Sequence, residues 1–140
     1  MEITLKTLDE VRDFFANDKY ATQVTGIEIV KADPGHSEVR LKIDDRHINA
    51  VGGLMGAVFF TMADFAFAVA VNSDIDSEYV TVTLQSSISF MRTVGSGTLT
   101  AKADVVRDGK STCVYEISIY SDDNTELCRV VTTGSRVRKK

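Results

Sequence analysis

GGLMGAVFFTMADFAFAVAVNS, Gly52 to Ser73, decides the fold. Its one charged residue, Asp64, stands in the middle of an otherwise apolar run, opened by two glycines and closed by Asn72-Ser73. A helix that is apolar on nearly every face is surrounded by other protein or by lipid. A carboxylate inside it needs partners or a task. Lipid is the poorer fit. Asp64 at the centre of a bilayer would cost roughly 3 kcal/mol, and no Lys or Arg flanks either end of the run. The segments around it read as strand. The expectation is a helix enclosed by its own protein, with no membrane association.

Outward from that helix, both sides supply candidates to enclose it. Upstream, Thr7-Leu8-Asp9-Glu10 has the form of a capping box, followed by Leu8, Val11, Phe14 and Phe15 at helical spacing. A short amphipathic helix ending near Asn17 is expected. Thr22 to Ala32 reads as a strand with Ile27 and Ile29 on one side, Asp33-Pro34-Gly35 as a turn, and His36 to Ile43 as the returning strand. A polar loop, Asp44 to Gly53, leads into the helix. Downstream, Asp74 to Glu78 is a polar connection to four strand-like runs: Tyr79 to Arg92, Thr98 to Arg107, Ser111 to Tyr120 and Glu126 to Val137. Their turns are Gly95-Ser96-Gly97, Asp108-Gly109 and Asp122-Asp123-Asn124. Six mostly antiparallel strands curling around one helix make an α+β arrangement.

Composition sets the outer limits. A chain of 140 residues, 44% hydrophobic and 26% charged, is expected to form one domain over residues 1–140. A net charge of −4 argues against a nucleic-acid binder and leaves any anionic ligand dependent on a local cationic patch. Cys113 and Cys128 are too few for a disulfide scaffold and are expected reduced and buried. The polar, acidic start MEITLKTLDEV has no apolar core of a signal peptide. His36 and His47, with two unpaired cysteines, give no metal-ligand spacing.

The run His47-Ile48-Asn49, Gly52, Gly56-Ala57, Thr61, Ala63-Asp64 and Ala68 to Ser73, followed by Ser89-Phe90-Met91-Arg92, resembles the hotdog-fold acyl-CoA thioesterases. Within them it most resembles the PaaI-like branch, named for a phenylacetic acid degradation protein. The resemblance covers nearly the whole chain, including the hairpin Arg107-Asp108-Gly109-Lys110. It implies a hotdog fold, an antiparallel sheet wrapped around one long central helix. It implies hydrolysis of an acyl-CoA by a cytoplasmic homodimer that assembles to a homotetramer, with coenzyme A as part of the substrate and no separate cofactor.

The chemistry follows residue by residue. Thioester hydrolysis needs a polarised carbonyl and a nucleophile or activated water. The helix N-terminus offers unpaired N–H groups and a partial positive charge, and Gly56 there admits a carbonyl oxygen. The resemblance makes Asp64 the nucleophile or general base, Thr83 the residue that orients water, and Asn49 a loop residue lining the site. His47 is expected to brace that loop at the substrate side. Met55, Ala57, Phe60, Phe90, Arg92, Arg107 and Lys110 are the candidate substrate contacts, the cations for the phosphates of coenzyme A. Met55 stands where the family has histidine. That difference motivates an alternative reading, a hotdog protein that binds acyl-CoA or another apolar ligand without cleaving it. A hotdog dehydratase is a third reading, and it lacks the catalytic histidine such enzymes carry in or near the helix. Asp64 lies eight residues beyond Gly56, so the two are ~12 Å apart along one helix. One helix cannot bring both to one carbonyl; two antiparallel helices can, which predicts a twofold dimer with two composite sites.

Overall fold

The computed structural model describes residues 6–140; the first five residues of the polar start read above lie outside them. A capped helix α1 (Leu8–Phe15) is followed by a π-helical turn (Tyr20–Thr25), the hairpin β1 (Glu28–Asp33) and β2 (His36–Lys42), and a 3-10 turn (Asp45–His47). The central helix α2 (Gly56–Val71) comes next, then β3 (Tyr79–Phe90), β4 (Thr98–Asp108), β5 (Thr112–Tyr120) and β6 (Glu126–Arg138). The strands form one antiparallel sheet in the order β1-β2-β4-β5-β6-β3. The helix α2 packs against all six. No helix of the described residues is long and apolar enough to cross a membrane.

The capping box forms as expected: Thr7 Oγ1 accepts from the Glu10 N–H at 3.2 Å, and Glu10 accepts from the Thr7 N–H at 3.3 Å. Core packing follows the period-2 pattern of the strands. Val39 and Leu41 on β2, Leu99, Ala101 and Ala103 on β4, and Ile117 and Ile119 on β5 are all buried against Met62, Phe65, Phe67 and Val69 of α2. Alanines on both surfaces let helix and sheet approach closely. The buried Ser37 hydroxyl donates to the Ala66 carbonyl at 2.6 Å and ties β2 to the helix. At the far end, Asn72 makes a two-way clasp with Thr81, donating at 3.0 Å and accepting at 2.8 Å. So α2 runs counter to β3, with Gly56 beside Phe90 and Asn72 beside Thr81.

Two expectations are corrected. Thr22 to Gly26 is not strand. The Thr22 hydroxyl donates to the Asp18 carbonyl at 3.0 Å, and the N–H groups of Gly26 and Ile27 both reach the Ala21 carbonyl. Gly26 closes the turn in the left-handed region, φ 90°. Local hydrogen bonds and a glycine cap override the β-branched composition here, and the strand starts at Glu28.

Nor is α2 covered on every face. A single sheet covers only one side of a helix. Ala57, Phe60 and Asp64 are exposed, and Thr61, Ala68 and Val71 are half-buried. These positions repeat at helical spacing, so they form one stripe that the chain's own sheet leaves open. Asp64 lies on that stripe and not in the core.

Gly134 marks the tightest point of the helix–sheet contact. A Cβ there would stand 2.7 Å from Phe67 Cζ and 2.9 Å from Thr81 Cγ2. Gly134→Ala is therefore expected to lower unfolding free energy by about 2 kcal/mol, read as a lower urea midpoint. Burial also pushes the Tyr115 hydroxyl up to about 12 and the Cys128 thiol up to about 11. Between the ordinary and raised values the unfolded chain has released protons that the folded chain still holds. Stability should therefore fall as pH rises from 9 through 12, by up to about 2 kcal/mol per group. Tyr115→Phe should flatten the part of that fall between pH 10 and 12 in a series of urea midpoints.

Candidate active site

The loop between β2 and α2 is built to present the helix N-terminus. His47 is 2% exposed. Its Nδ1 accepts from the Asp44 N–H at 2.9 Å, and its Nε2 meets the Thr25 carbonyl at 2.7 Å. This fits the tautomer with the proton on Nε2, with both nitrogens committed. His47 is therefore a brace behind the loop and has no face toward the cavity. Asn49 Oδ1 accepts from the N–H groups of Val51 and Gly53, both at 3.0 Å, and folds the loop back on itself. The Met55 N–H then donates to the His47 carbonyl at 2.8 Å and sets the entry to the helix.

At that entry, no side chain caps α2. Among the described residues no backbone carbonyl takes the Gly56 or Ala57 N–H. These are free donors at the positive end of a helix. The Phe90 ring lies 3.4 Å from where a Cβ on Gly56 would stand, and its centroid is 5.9 Å from that of Phe59. Asn49, Gly56, Phe59, Phe90 and Arg92 line one open cavity of about 690 Å³. Met55 is 51% exposed and Phe60 39% exposed, both outside the cavity lining.

Asp64 belongs to a different place on the helix. Its Oδ1 accepts from Thr83 Oγ1 at 3.1 Å. Thr83 sits where the β3–β6 register shifts, between Thr83 and Gln85, so a bulge sets its direction. Asp64 and Thr83 do not line the cavity at Gly56, and the eight-residue separation of Gly56 and Asp64 keeps them ~12 Å apart.

The candidate cations divide in the same way. Arg92 is at the Gly56 cavity. Arg107 and Lys110 belong to the β4–β5 hairpin, whose tip Arg136 clamps through the Gly109 and Lys110 carbonyls at 3.1 and 2.8 Å and Asp108 at 2.8 Å. Asp108, Cys113, Gly134 and Thr83 stand in one row across the sheet. That hairpin is thus on the Asp64–Thr83 side. Partial burial, and to a lesser degree the charge of Asp64, push the Asp18 carboxyl up. Among the described residues, no three His, Cys, Asp or Glu side chains converge to hold a metal ion.

Comparison with known proteins agrees with this architecture. The acyl-coenzyme A thioesterase PaaI of Escherichia coli is 34% identical over 117 residues, 83% of this chain and 81% of that one. The solved structure of the E. coli PaaI protein from the phenylacetic acid degradation operon superposes with a TM-score of 0.79 at 28% identity, covering 94% of this chain and 96% of that one. The structure of smu.793 from Streptococcus mutans bound to acetyl CoA matches with a TM-score of 0.73 at 25% identity, covering 81% and 90%. The model of the thioesterase superfamily matches residues 51–128, from the loop before α2 to the start of β6. By that match, and by its likeness to PaaI in both sequence and fold, the chain belongs to the thioesterase superfamily, in the PaaI-like branch of the hotdog fold.

Proposed function

We propose that this thioesterase hydrolyses acyl-CoA at two composite sites of a twofold dimer. The observation that carries this reading is the split within one chain. The free N–H donors of Gly56 and Ala57 lie at one end of the helix, and the Asp64–Thr83 pair lies on its open stripe two turns on. The strand β3 supports a second copy. It is an edge strand of 12 residues without a single charge or proline. Its Val82, Leu84 and Phe90 are exposed. Natural edges of this length normally carry charges or are covered. Pairing β3 with its copy, and the open stripe of α2 with its copy, would bring Gly56 of one chain to Asp64 of the other.

In the reaction, the thioester carbonyl oxygen accepts from the Gly56 N–H, and the helix terminus favours its negative charge as the carbon becomes tetrahedral. Asp64 from the other chain attacks that carbon or takes the proton from an attacking water. Thr83 holds Oδ1 and leaves Oδ2 to act. The C–S bond breaks, and coenzyme A leaves as a thiolate that is then protonated. If Asp64 is the nucleophile, water hydrolyses the resulting anhydride. With Met55 in place of histidine, carbonyl polarisation rests on backbone donors. Arg92 on one side, and Arg107 and Lys110 on the other, are the cations offered to the phosphates. Asn49 lines the cavity, where Phe90 and Phe59 supply apolar wall.

Asp64→Asn is expected to lower free-thiol release from hexanoyl-CoA or phenylacetyl-CoA by at least ~100-fold. The far-UV circular dichroism should not change, because Asp64 is exposed within its own chain. Unchanged turnover would rule out the assignment. Tight acyl-CoA binding without thiol release by the wild-type protein would favour the non-catalytic binder.

A further inference from the structure

Three of the four phenylalanines of α2 find a ring within the chain. Phe59 meets Phe90, Phe65 meets Phe15 and Phe67 meets Tyr115, with centroids 5.9, 5.9 and 5.4 Å apart. Among the described residues Phe60 meets none. It is also the one exposed large apolar side chain of that helix. Its place is fixed by spacing. Phe60 stands four residues after Gly56 and four before Asp64, one turn and ~6 Å along the axis from each. It shares the open stripe with Ala57 and Asp64. Thr61 beside it spends its hydroxyl on the Ala57 carbonyl at 2.8 Å.

A thioester whose carbonyl oxygen meets the Gly56 N–H has two arms to place. Ahead of the helix is the open cavity, lined by Asn49, Gly52, Gly53 and Arg92 among others, which suits the polar arm of coenzyme A. The other way runs along the stripe of α2. Ala57 comes first there and is only a methyl group. Phe60 comes next and is the first large side chain. It is also midway between Gly56 and Asp64. In an antiparallel pair of helices that brings Gly56 to Asp64 of the other chain, the midpoint faces its own copy on the twofold axis. Two Phe60 rings would then stand between the two sites, each ~6 Å along the helix from the donors at Gly56.

We infer that Phe60 is a specificity-determining residue, which with its copy ends the acyl pocket, so that short acyl groups are accepted and long ones are turned away. The inference rests on the composite site proposed above. Misfit of a single methylene in an apolar pocket is enough for about tenfold discrimination, and a long chain has several to place.

Hexanoyl-CoA and dodecanoyl-CoA test it, because they differ only in acyl length. The wild type should prefer hexanoyl-CoA in kcat/KM. Phe60→Ala should shift the ratio toward dodecanoyl-CoA at least about tenfold. Phe60→Leu, which keeps an apolar contact between the copies, should shift it the same way by less. Loss of a mere contact between chains would lower both substrates together and leave the ratio in place. A ratio within about twofold of wild type in both variants overturns the assignment, as does a wild type that cleaves the two thioesters equally well. If the wild type cleaves neither, the hydrolase reading fails on its own. The two ligands are then compared by calorimetric affinity, where the same shift supports Phe60 and an unchanged ratio overturns it.

Discussion

A helix fixes the distance between its residues, and here that distance governs everything else. Gly56 and Asp64 are held ~12 Å apart by the rise of α2, and packing cannot shorten it. Six strands grip the helix on one side, Ser37 anchors its middle and Asn72 anchors its end. The helix is thus a rigid ruler with a donor at one mark and a carboxylate at another. In the reaction proposed above one carbonyl meets both marks, and two rulers laid in opposite directions would allow that. The uncovered stripe and the bare edge of β3 are the surfaces such an arrangement would use.

Supporting residues divide along the same lines. His47 and Asn49 spend their polar atoms on the loop, and this leaves the Gly56 and Ala57 N–H groups pointing out of a fixed frame. Preorganised donors of this kind need no rearrangement when charge develops. On β3, the bulge after Thr83 turns its hydroxyl to Asp64, and Gly134 opposite lets Phe67 press into the sheet behind it. Met55 adds no donor at the helix start. In the proposed reaction the burden of polarising the carbonyl then falls on the backbone donors.

Much of this was legible in the sequence because it is periodic. The alternation of Val39, Leu41 and Ile43, the Asp-Gly hairpin, and the unbroken apolar run of α2 each identify an element by local pattern. Thr22 to Gly26 failed for a physical reason: β-branched residues suggest strand, and the glycine cap and the Thr22 hydroxyl favour a helical turn. The exposure of Asp64 was hidden because an apolar stripe looks the same whether a sheet or a second chain covers it. Placement of Arg92 apart from Arg107 and Lys110 likewise depends on strand order and not on strand pattern.

The composite site is tested most directly by mixing two inactive chains. Gly56→Pro removes the donor at a helical position where proline is well tolerated, and Asp64→Asn removes the carboxylate. Each homodimer should be inactive. Co-refolded in equal amounts, half the dimers are mixed, and each mixed dimer has one intact site. Thioester hydrolysis should therefore return to about a quarter of the wild-type rate per chain. No recovery, with mixed dimers confirmed by differential tagging, would contradict a site shared between chains.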